Sequence, residues 1–233
     1  MIRAIIFDFN GVIADDETPH LLCFQQALDE HGLSITKEEY YGTFLGMDER
    51  TCTATLLSAR DGHCDNRILA TIINRKAEIF RQHTDVHRPL LFPGVVELVK
   101  HAGAKYRLAI ASGGRREQID DALRDTPIDG AFSVIIAAED CLVGKPDPAI
   151  YFLTLKKLNG KEPRPPLLKA DECLVVEDSL AGIRSAKAAG MGVVAIASTY
   201  PIENLQEADF VLPTLSWMSL QHILDDDMAG RQL

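Results

Sequence analysis

The sequence predicts an α/β protein: a doubly wound parallel sheet, interrupted after its first strand by an all-helical insert. Three observations predict it. Short apolar runs rich in β-branched residues recur along the chain, as in strands buried on both faces. Helical patterns with recognisable caps alternate with these runs, the signature of parallel strands joined by crossover helices. Residues 16–88 break the alternation, carrying helical periodicity and no convincing strand.

The first strand is "RAIIFDF" (3–9). Thr18 and Pro19 then open a helix whose Leu21, Phe24 and Leu28 share a face, and Gly32 ends it. Thr36 and Glu39 have capping-box spacing. Ile68, Leu69, Ile72, Ile73, Ile79 and Phe80 form the apolar stripe of a further helix. The sheet is expected to resume near "LFPGVVELVKHAG" (91–103) and to continue with "YRLAIAS" (106–112), the weaker "FSVIIAAED" (132–140), "CLVVED" (173–178), "MGVVAIAS" (191–198) and an edge strand in "ADFVLP" (208–213). Between them, Asp147 and Pro148 start a helix over 147–159, and Ser179 and Gly190 bracket another over 179–190. "KEPRPPLLK" (161–169) reads as a proline-rich loop, and the final "DDDMAGRQL" as frayed. The expected division is a core of residues 1–15 and 89–233 and a helical unit of 16–88.

Composition narrows the function. With 233 residues, 46% hydrophobic and 25% charged, the chain has ordinary globular make-up and enough length for a sizeable core. A formal charge of −10 argues against nucleic-acid or anionic-membrane binding over a broad basic face, while leaving room for a small anionic substrate. Five cysteines, Cys23, Cys52, Cys64, Cys141 and Cys173, form no CxxC pair. That favours a reducing, cytoplasmic setting over a disulfide framework. The amino-terminal apolar run is too short for a signal peptide, and no stretch is long enough to span a membrane. A monomer or weak homodimer is expected.

Ligands of open parallel sheets bind beyond the carboxyl ends of the strands. There the sequence gathers Asp8 and Asn10, Ser112 with Gly113 and Gly114, Lys145 in "GKPDP", and the pair Glu177–Asp178. Each piece alone has an ordinary explanation: a turn, a lysine before a helix, surface charge. Their order, each at a strand end, is the signal. Converging carboxylates call for a cation, and oxygen ligands suit Mg²⁺. The Ser112 hydroxyl and the following glycine amides offer donors to an anion. Lys145 can neutralise a phosphoryl group and Asp8. The set suits metal-assisted, in-line transfer of a phosphoryl group to an aspartate.

In order, "FDFNGVIADDE", "ASGG", "GKPDPAIY" and "VVEDSLAGIRSAKAAGM" resemble the four motifs of the haloacid dehalogenase superfamily. The branch resembled has a small helical cap and includes β-phosphoglucomutase and phosphoglycolate phosphatase. The resemblance covers nearly the whole chain and implies a Rossmann-like core with the insert as cap. It implies Asp8 as nucleophile, Ser112, Gly113 and Lys145 as phosphate binders, and Mg²⁺ held by Asp8, Glu177, Asp178 and the Asn10 backbone carbonyl. It implies a small phosphorylated metabolite as substrate.

Asn10 departs from that pattern. In phosphatases and mutases of this kind the position is an aspartate that protonates the leaving oxygen and then deprotonates the incoming water or alcohol. Such help is worth roughly 10²–10⁴ in rate, so both half-reactions should suffer. Dehalogenases need no such acid but lack the metal-binding pair, and "FLGMDERT" (44–51) has no lysine for phosphonatase chemistry. Three readings stay open: a phosphatase with a good leaving group or a recruited acid, a sugar phosphomutase, and an inactive phosphate-binding homologue, natural or an engineered Asp-to-Asn variant. Asp15, Asp16 and His20 are candidates for the acid, against the plainer roles of helix cap for the two aspartates and surface residue for the histidine. His20, Gly46 and Arg50 are candidate substrate contacts from the cap. Phe44, Leu45 and Met47 could close over the site or simply pack. The Asn10–Gly11 pair is also the dipeptide most prone to deamidate.

Overall fold

The computed structural model describes residues 1–86, 90–161 and 166–230. The expected boundary at 88/89, part of the 161–169 loop and the last three residues of the tail lie outside them.

The chain opens with β1 (Ala4–Phe7), every residue of which is buried. Alternation along it divides the core. Ile5 and Phe7 pack on one side of the sheet, Ala4 and Ile6 on the other. A short β2 (Ala14–Asp15) leads into α1 (Glu17–Asp29), α2 (Lys37–Glu39), a π-helical turn (Tyr40–Phe44), α3 (Glu49–Asp61) and α4 (Asn66–Val86). The capping box before α2 forms in both directions, Glu39 N donating to Thr36 Oγ1 (3.1 Å) and Thr36 N to Glu39 Oε2 (3.0 Å). Asp48 caps α3, its Oδ1 accepting from Arg50 N and Thr51 N at 3.0 Å each. These helices enclose a core of their own, built on Phe24, Leu28, Phe44, Leu56, Leu57, Leu69, Ile72 and Phe80.

The stretch expected to rejoin the sheet does something else. β3 (Leu90–Leu91) pairs antiparallel with β2 in a separate ribbon, Ala14 opposite Leu91 and Asp15 opposite Leu90. The apolar residues after it form α5 (Val95–Gly103). The run is helical because Val95, Leu98, Val99 and Ala102 recur at helical spacing and bury one face. Then follow β4 (Arg107–Ala111), α6 (Arg116–Leu123), β5 (Val134–Ile136), α7 (Ala149–Lys161), β6 (Cys173–Glu177), α8 (Leu180–Ala188), β7 (Gly192–Ile196), β8 (Phe210–Leu212) and α9 (Trp217–Gly230). The tail expected to fray thus continues as helix through Gly230. Asp147 and Ser179 cap as expected, accepting from Ala149 N (2.8 Å) and Gly182 N (3.0 Å).

Six parallel strands run in the order β5-β4-β1-β6-β7-β8. Residues of α5, α6 and α9 fill one face and residues of α7 and α8 the other. From β1 the chain builds outward through β4 and β5, then returns to lay β6 on β1's other side. β1 therefore lies at the switch of winding direction, where a crevice opens at the strands' carboxyl ends.

Candidate active site

Asp8 follows directly on β1, and its backbone N–H donates to Val176 O on β6 (2.9 Å). This fixes the carboxylate beside the end of the neighbouring strand. Lys145 reaches it from the loop before α7. Its Nζ donates to Asp8 Oδ1 (2.8 Å), Glu177 Oε1 (2.6 Å) and Ala111 O (3.1 Å). An ammonium has three donors, and all three are engaged. Burial works against the Lys145 charge, but Asp8 and Glu177 together hold its pKa well above the ordinary value. Lys145 thus neutralises Asp8 from behind. It reaches the cavity through Asp8, which lines it.

Asp8, Glu177 and Asp178 each place an oxygen within 4.8 Å of the others, and all three are buried. Desolvation pushes the Asp8 pKa from 3.8 up to about 7, with Lys145 opposing and Glu177 adding to the rise. Desolvation likewise raises Asp178 well above the ordinary range, and the charges of Glu177 and Asp8 raise it further. Two buried carboxylates that resist ionising side by side form an oxygen donor set suited to Mg²⁺. Glu177 differs from its neighbours. Its Oε1 accepts from Lys145 and from Tyr151 OH (3.0 Å). Its Oε2 accepts from Asp178 N (3.0 Å), Ser179 N (3.1 Å) and Ser179 Oγ (3.0 Å). Five donors meet its two oxygens, so Glu177 braces Lys145 and the start of α8 while standing in the same carboxylate group as Asp8 and Asp178. Asp178 keeps one oxygen on the Thr199 hydroxyl. Gly11 makes room for it: at φ +74°, a Cβ there would lie 2.0 Å from Asp178 Oδ2.

Ser112 stands at the end of β4, where its Oγ accepts from Gly114 N (3.0 Å) and faces Asn10 Oδ1 at 3.4 Å. The Gly114 amide expected to meet an anion is therefore engaged locally, though Gly113 and Gly114 both border the cavity. The Asn10 side chain turns toward the helical unit. Its Nδ2 donates to both oxygens of Asp16, each at 2.9 Å, and lies 3.1 Å from His20 Nε2. An acceptor-only carboxylate demands the amide's N–H₂ side, which sets the orientation of the Asn10 amide. Asp16 sits at the N-cap position of α1 but makes no side-chain cap bond. Its carboxylate instead holds Asn10, so the plain capping role fails for it. His20 is buried and stacks on Phe80, ring centroids 4.0 Å apart.

Asp8, Asn10, Ser112, Gly113, Gly114 and Asp178 line a cavity of ≈ 60 Å³ whose opposite wall comes from the insert: Glu17, His20, Tyr40, Leu45, Gly46, Met47, Glu49 and Lys76. Gly46 has φ +80°, and a Cβ on it would strike Ser179 Oγ at 2.3 Å, so glycine lets the turn approach the core. Phe44 packs in the helical core, away from the cavity. Arg50 stands apart from this cavity. It is exposed and borders a separate groove with Ile73, Arg115 and Leu142, because the first turn of α3 directs it outward.

Several polar residues escaped the sequence reading. Lys76 lies buried on the apolar stripe of α4 and pairs with Glu49 at 2.9 Å, and Arg115 from the core meets Glu49 at 3.1 Å. Despite burial, Lys76 and Arg115 hold the Glu49 carboxyl below its usual pKa. Burial raises Glu17, whose Oε1 accepts from Tyr40 OH (2.6 Å). A lysine at position 76 between Ile72 and Ile79 was the available signal. Tyr151 closes the "GKPDPAIY" motif, but nothing in that string singles out its hydroxyl, and Thr199 stands in no motif.

The chain is similar to known proteins along most of its length. The chain is 32% identical over 231 residues to Protein CbbY of Rhodobacter capsulatus, spanning 95% of this chain and 97% of the relative. It is 28% identical over 193 residues to a phosphorylated carbohydrates phosphatase of Thermotoga maritima, with 82% of each covered. Among solved structures, an Asp-to-Asn variant of CbbY from Rhodobacter sphaeroides in complex with xylulose-(1,5)bisphosphate superposes with a TM-score of 0.78 at 28% identity, over 92% of this chain and 95% of that one. The haloacid dehalogenase-like hydrolase profile matches residues 5–196. That span holds Asp8, Ser112, Lys145 and Asp178 in the order their strand ends require, and the chain belongs to the haloacid dehalogenase-like hydrolase family.

Proposed function

We propose that the protein is a Mg²⁺-dependent phosphatase of small phosphorylated metabolites, acting through a covalent aspartyl phosphate on Asp8. The observation that carries this reading is the contact of Lys145 Nζ with Asp8 Oδ1 at 2.8 Å, beside Asp178, at the floor of a cavity closed by the helical unit. The relatives' names support the substrate class: one is a phosphorylated carbohydrates phosphatase, and CbbY was crystallised with a sugar bisphosphate.

Asp8 and Asp178 would hold the metal ion, which when bound supplies charge neutralisation at the phosphoryl oxygens. Lys145 keeps Asp8 oriented and its negative charge supported. Ser112 and Gly113 face the phosphoryl group from the opposite strand end. Glu177 holds Lys145 in turn, through a pair buried on both sides. Residues 16–88 act as a cap that excludes water from the reaction. Its Glu17, His20 and Lys76 meet the remainder of the substrate. Arg50 has no part in this reading.

The test compares an aryl phosphate with an alkyl sugar phosphate, with Mg²⁺ and with chelator. Mg²⁺-dependent release of phosphate from either, abolished in Asp8→Asn, supports the reading. Release from neither refutes it. Interconversion of sugar phosphates that requires a bisphosphate primer would make the protein a mutase instead.

A further inference from the structure

The wall opposite Asp8 decides what the far end of a substrate can be. The insert brings two carboxylates to the cavity, Glu17 and Glu49, and one ammonium, Lys76. Lys76 is 7% exposed, and its charge is already matched: Nζ lies 2.9 Å from Glu49 Oε1. Arg115 reaches across from the start of α6 to the same carboxylate, its Nε donating to Glu49 Oε2 at 3.1 Å. Burial opposes the charge on Glu49 and on Lys76, and the partners overcome it. Lys76 and Arg115 hold Glu49 below its usual pKa, and Glu49 holds Lys76 above its own. Lys145 engages its three donors within the core. His20 belongs to the cluster around Asn10, with Nε2 3.1 Å from that amide and 3.5 Å from Asp16 Oδ2. Among the described residues of the insert that line the chamber, each basic side chain therefore has an acidic neighbour. Glu17 adds a further acceptor, its Oε1 taking the Tyr40 hydroxyl at 2.6 Å.

We propose that Glu49 determines specificity: by occupying Lys76 and Arg115 it makes the enzyme select a polyol monophosphate, a sugar or sugar alcohol with one phosphate and an uncharged remainder, over a bisphosphate. The inference rests on the phosphatase reading above and adds to it the chemistry of the substrate's far end. A second phosphate on this wall would face two carboxylates. To gain a cation it would have to draw Lys76 out of a buried pair and leave the Glu49 charge short of a partner, which is costly. Hydroxyls meet no such obstacle. They donate to carboxylate oxygens and accept from an ammonium without changing the net charge of the network. Arg115 belongs to the core and Glu49 to the insert, so the discriminating wall is complete only where the two units meet.

The experiment reads kcat/KM with Mg²⁺ on matched pairs, a pentulose 5-phosphate with its 1,5-bisphosphate and a hexose 1-phosphate with its 1,6-bisphosphate. Wild type and Glu49→Gln are compared in the full chain, with melting checked. Wild type should prefer the monophosphate of a pair by about tenfold or more, equivalent to ~1.4 kcal/mol. Glu49→Gln keeps the shape of the side chain and frees Lys76 and Arg115. The preference should therefore shift toward the bisphosphate by about tenfold, chiefly through a lower KM for the bisphosphate. A structural role alone would change both members of a pair by the same factor, and that result overturns the proposal. Inhibition of nitrophenyl phosphate hydrolysis by the same four esters covers sugars that turn over slowly, and it needs only the wild type if Glu49→Gln does not fold. Each bisphosphate should then inhibit about tenfold more weakly than its monophosphate. Equal or tighter inhibition by the bisphosphates, or their preferred hydrolysis, sinks this inference and leaves the phosphatase reading standing. A wild type that cleaves no ester, the aryl phosphate included, overturns both.

Discussion

Replacing Asn10 by aspartate tests the cluster at its centre. Asn10→Asp exchanges an amide that donates to both oxygens of Asp16 at 2.9 Å for a carboxyl with no donor unless protonated. Two opposed effects set the size. A hydrogen bond to a charged group contributes about 1.5–3 kcal/mol. Two like charges about 4 Å apart at an effective dielectric near 20 repel by about 4 kcal/mol. A protonated carboxyl recovers one hydrogen bond and escapes the repulsion. The introduced group should therefore keep its proton in the folded state, with a pKa above the ~3.9 of a free aspartate. A raised folded-state value means stability that is present in acid and lost as pH rises through that value. In chelator, the variant should melt within a few degrees of wild type near pH 5. Near pH 8 it should melt about 10–20 °C lower, taking about 5 kcal/mol and about 2–4 °C per kcal/mol for a chain of this size. The decisive control is Asn10→Asp combined with Asp16→Asn, which rebuilds an amide–carboxylate pair with its ends exchanged. The double variant should recover most of the lost stability. A pH-independent loss, or additive effects in the double variant, would refute the geometry argued for this cluster.

Other outcomes follow from the same site. Because burial pushes Asp8 to about 7 and raises Asp178, their contribution to stability holds in acid and fades as pH rises from about 4 through about 7. Metal-free protein should thus lose thermal stability over that window, and Mg²⁺ should restore it at pH 8; a flat melting profile in chelator would contradict the shifts. Glu177→Gln presents an N–H₂ to donors that need an acceptor and leaves Lys145 with one carboxylate, so a loss of about 3–5 kcal/mol is expected in denaturant melts. Deamidation requires the Gly11 backbone nitrogen to attack the Asn10 side chain, but Gly11 N donates to Ala14 O at 2.9 Å and the Asn10 amide is held by Asp16. Peptide mapping of folded protein should find Asn10 intact, and unfolded protein should deamidate faster.

How far the sequence disclosed this molecule depends on whether a residue's role is local. β1 was legible because an uninterrupted apolar run ending at Asp8 can only be a strand buried on both faces. Ser179 and Asp147 were legible because a cap acts within three residues of itself. The ribbon of β2 and β3 was not, since two-residue strands have no periodicity. Asp16 shows the limit best. At the start of a helix it reads as a cap, and only the tertiary fold shows that its partner is Asn10. Lys76 could have been noticed as a charge on an apolar stripe, but its partner Glu49 lies on another helix. The position of Arg50 was not legible, because helix phase, which periodicity could not settle at the first turn of α3, decides which groove it faces.

The cavity and the β2–β3 ribbon together carry one more consequence. At ≈ 60 Å³ the chamber holds about four to six water-sized positions, space for a phosphoryl group and little of a sugar. The polypeptide leaves the sheet side at Ala14–Asp15 and comes back at Leu90–Leu91, and these crossings are hydrogen-bonded to each other. Paired in this way, the two crossings are placed to serve as one pivot. Under the proposed function, a sugar phosphate would enter by a mechanical stroke that swings the helices out, and its products would leave by another. If the proposed reaction is limited by that stroke, solvent thickened with sucrose or glycerol should slow turnover, and a turnover independent of viscosity would place the limit elsewhere.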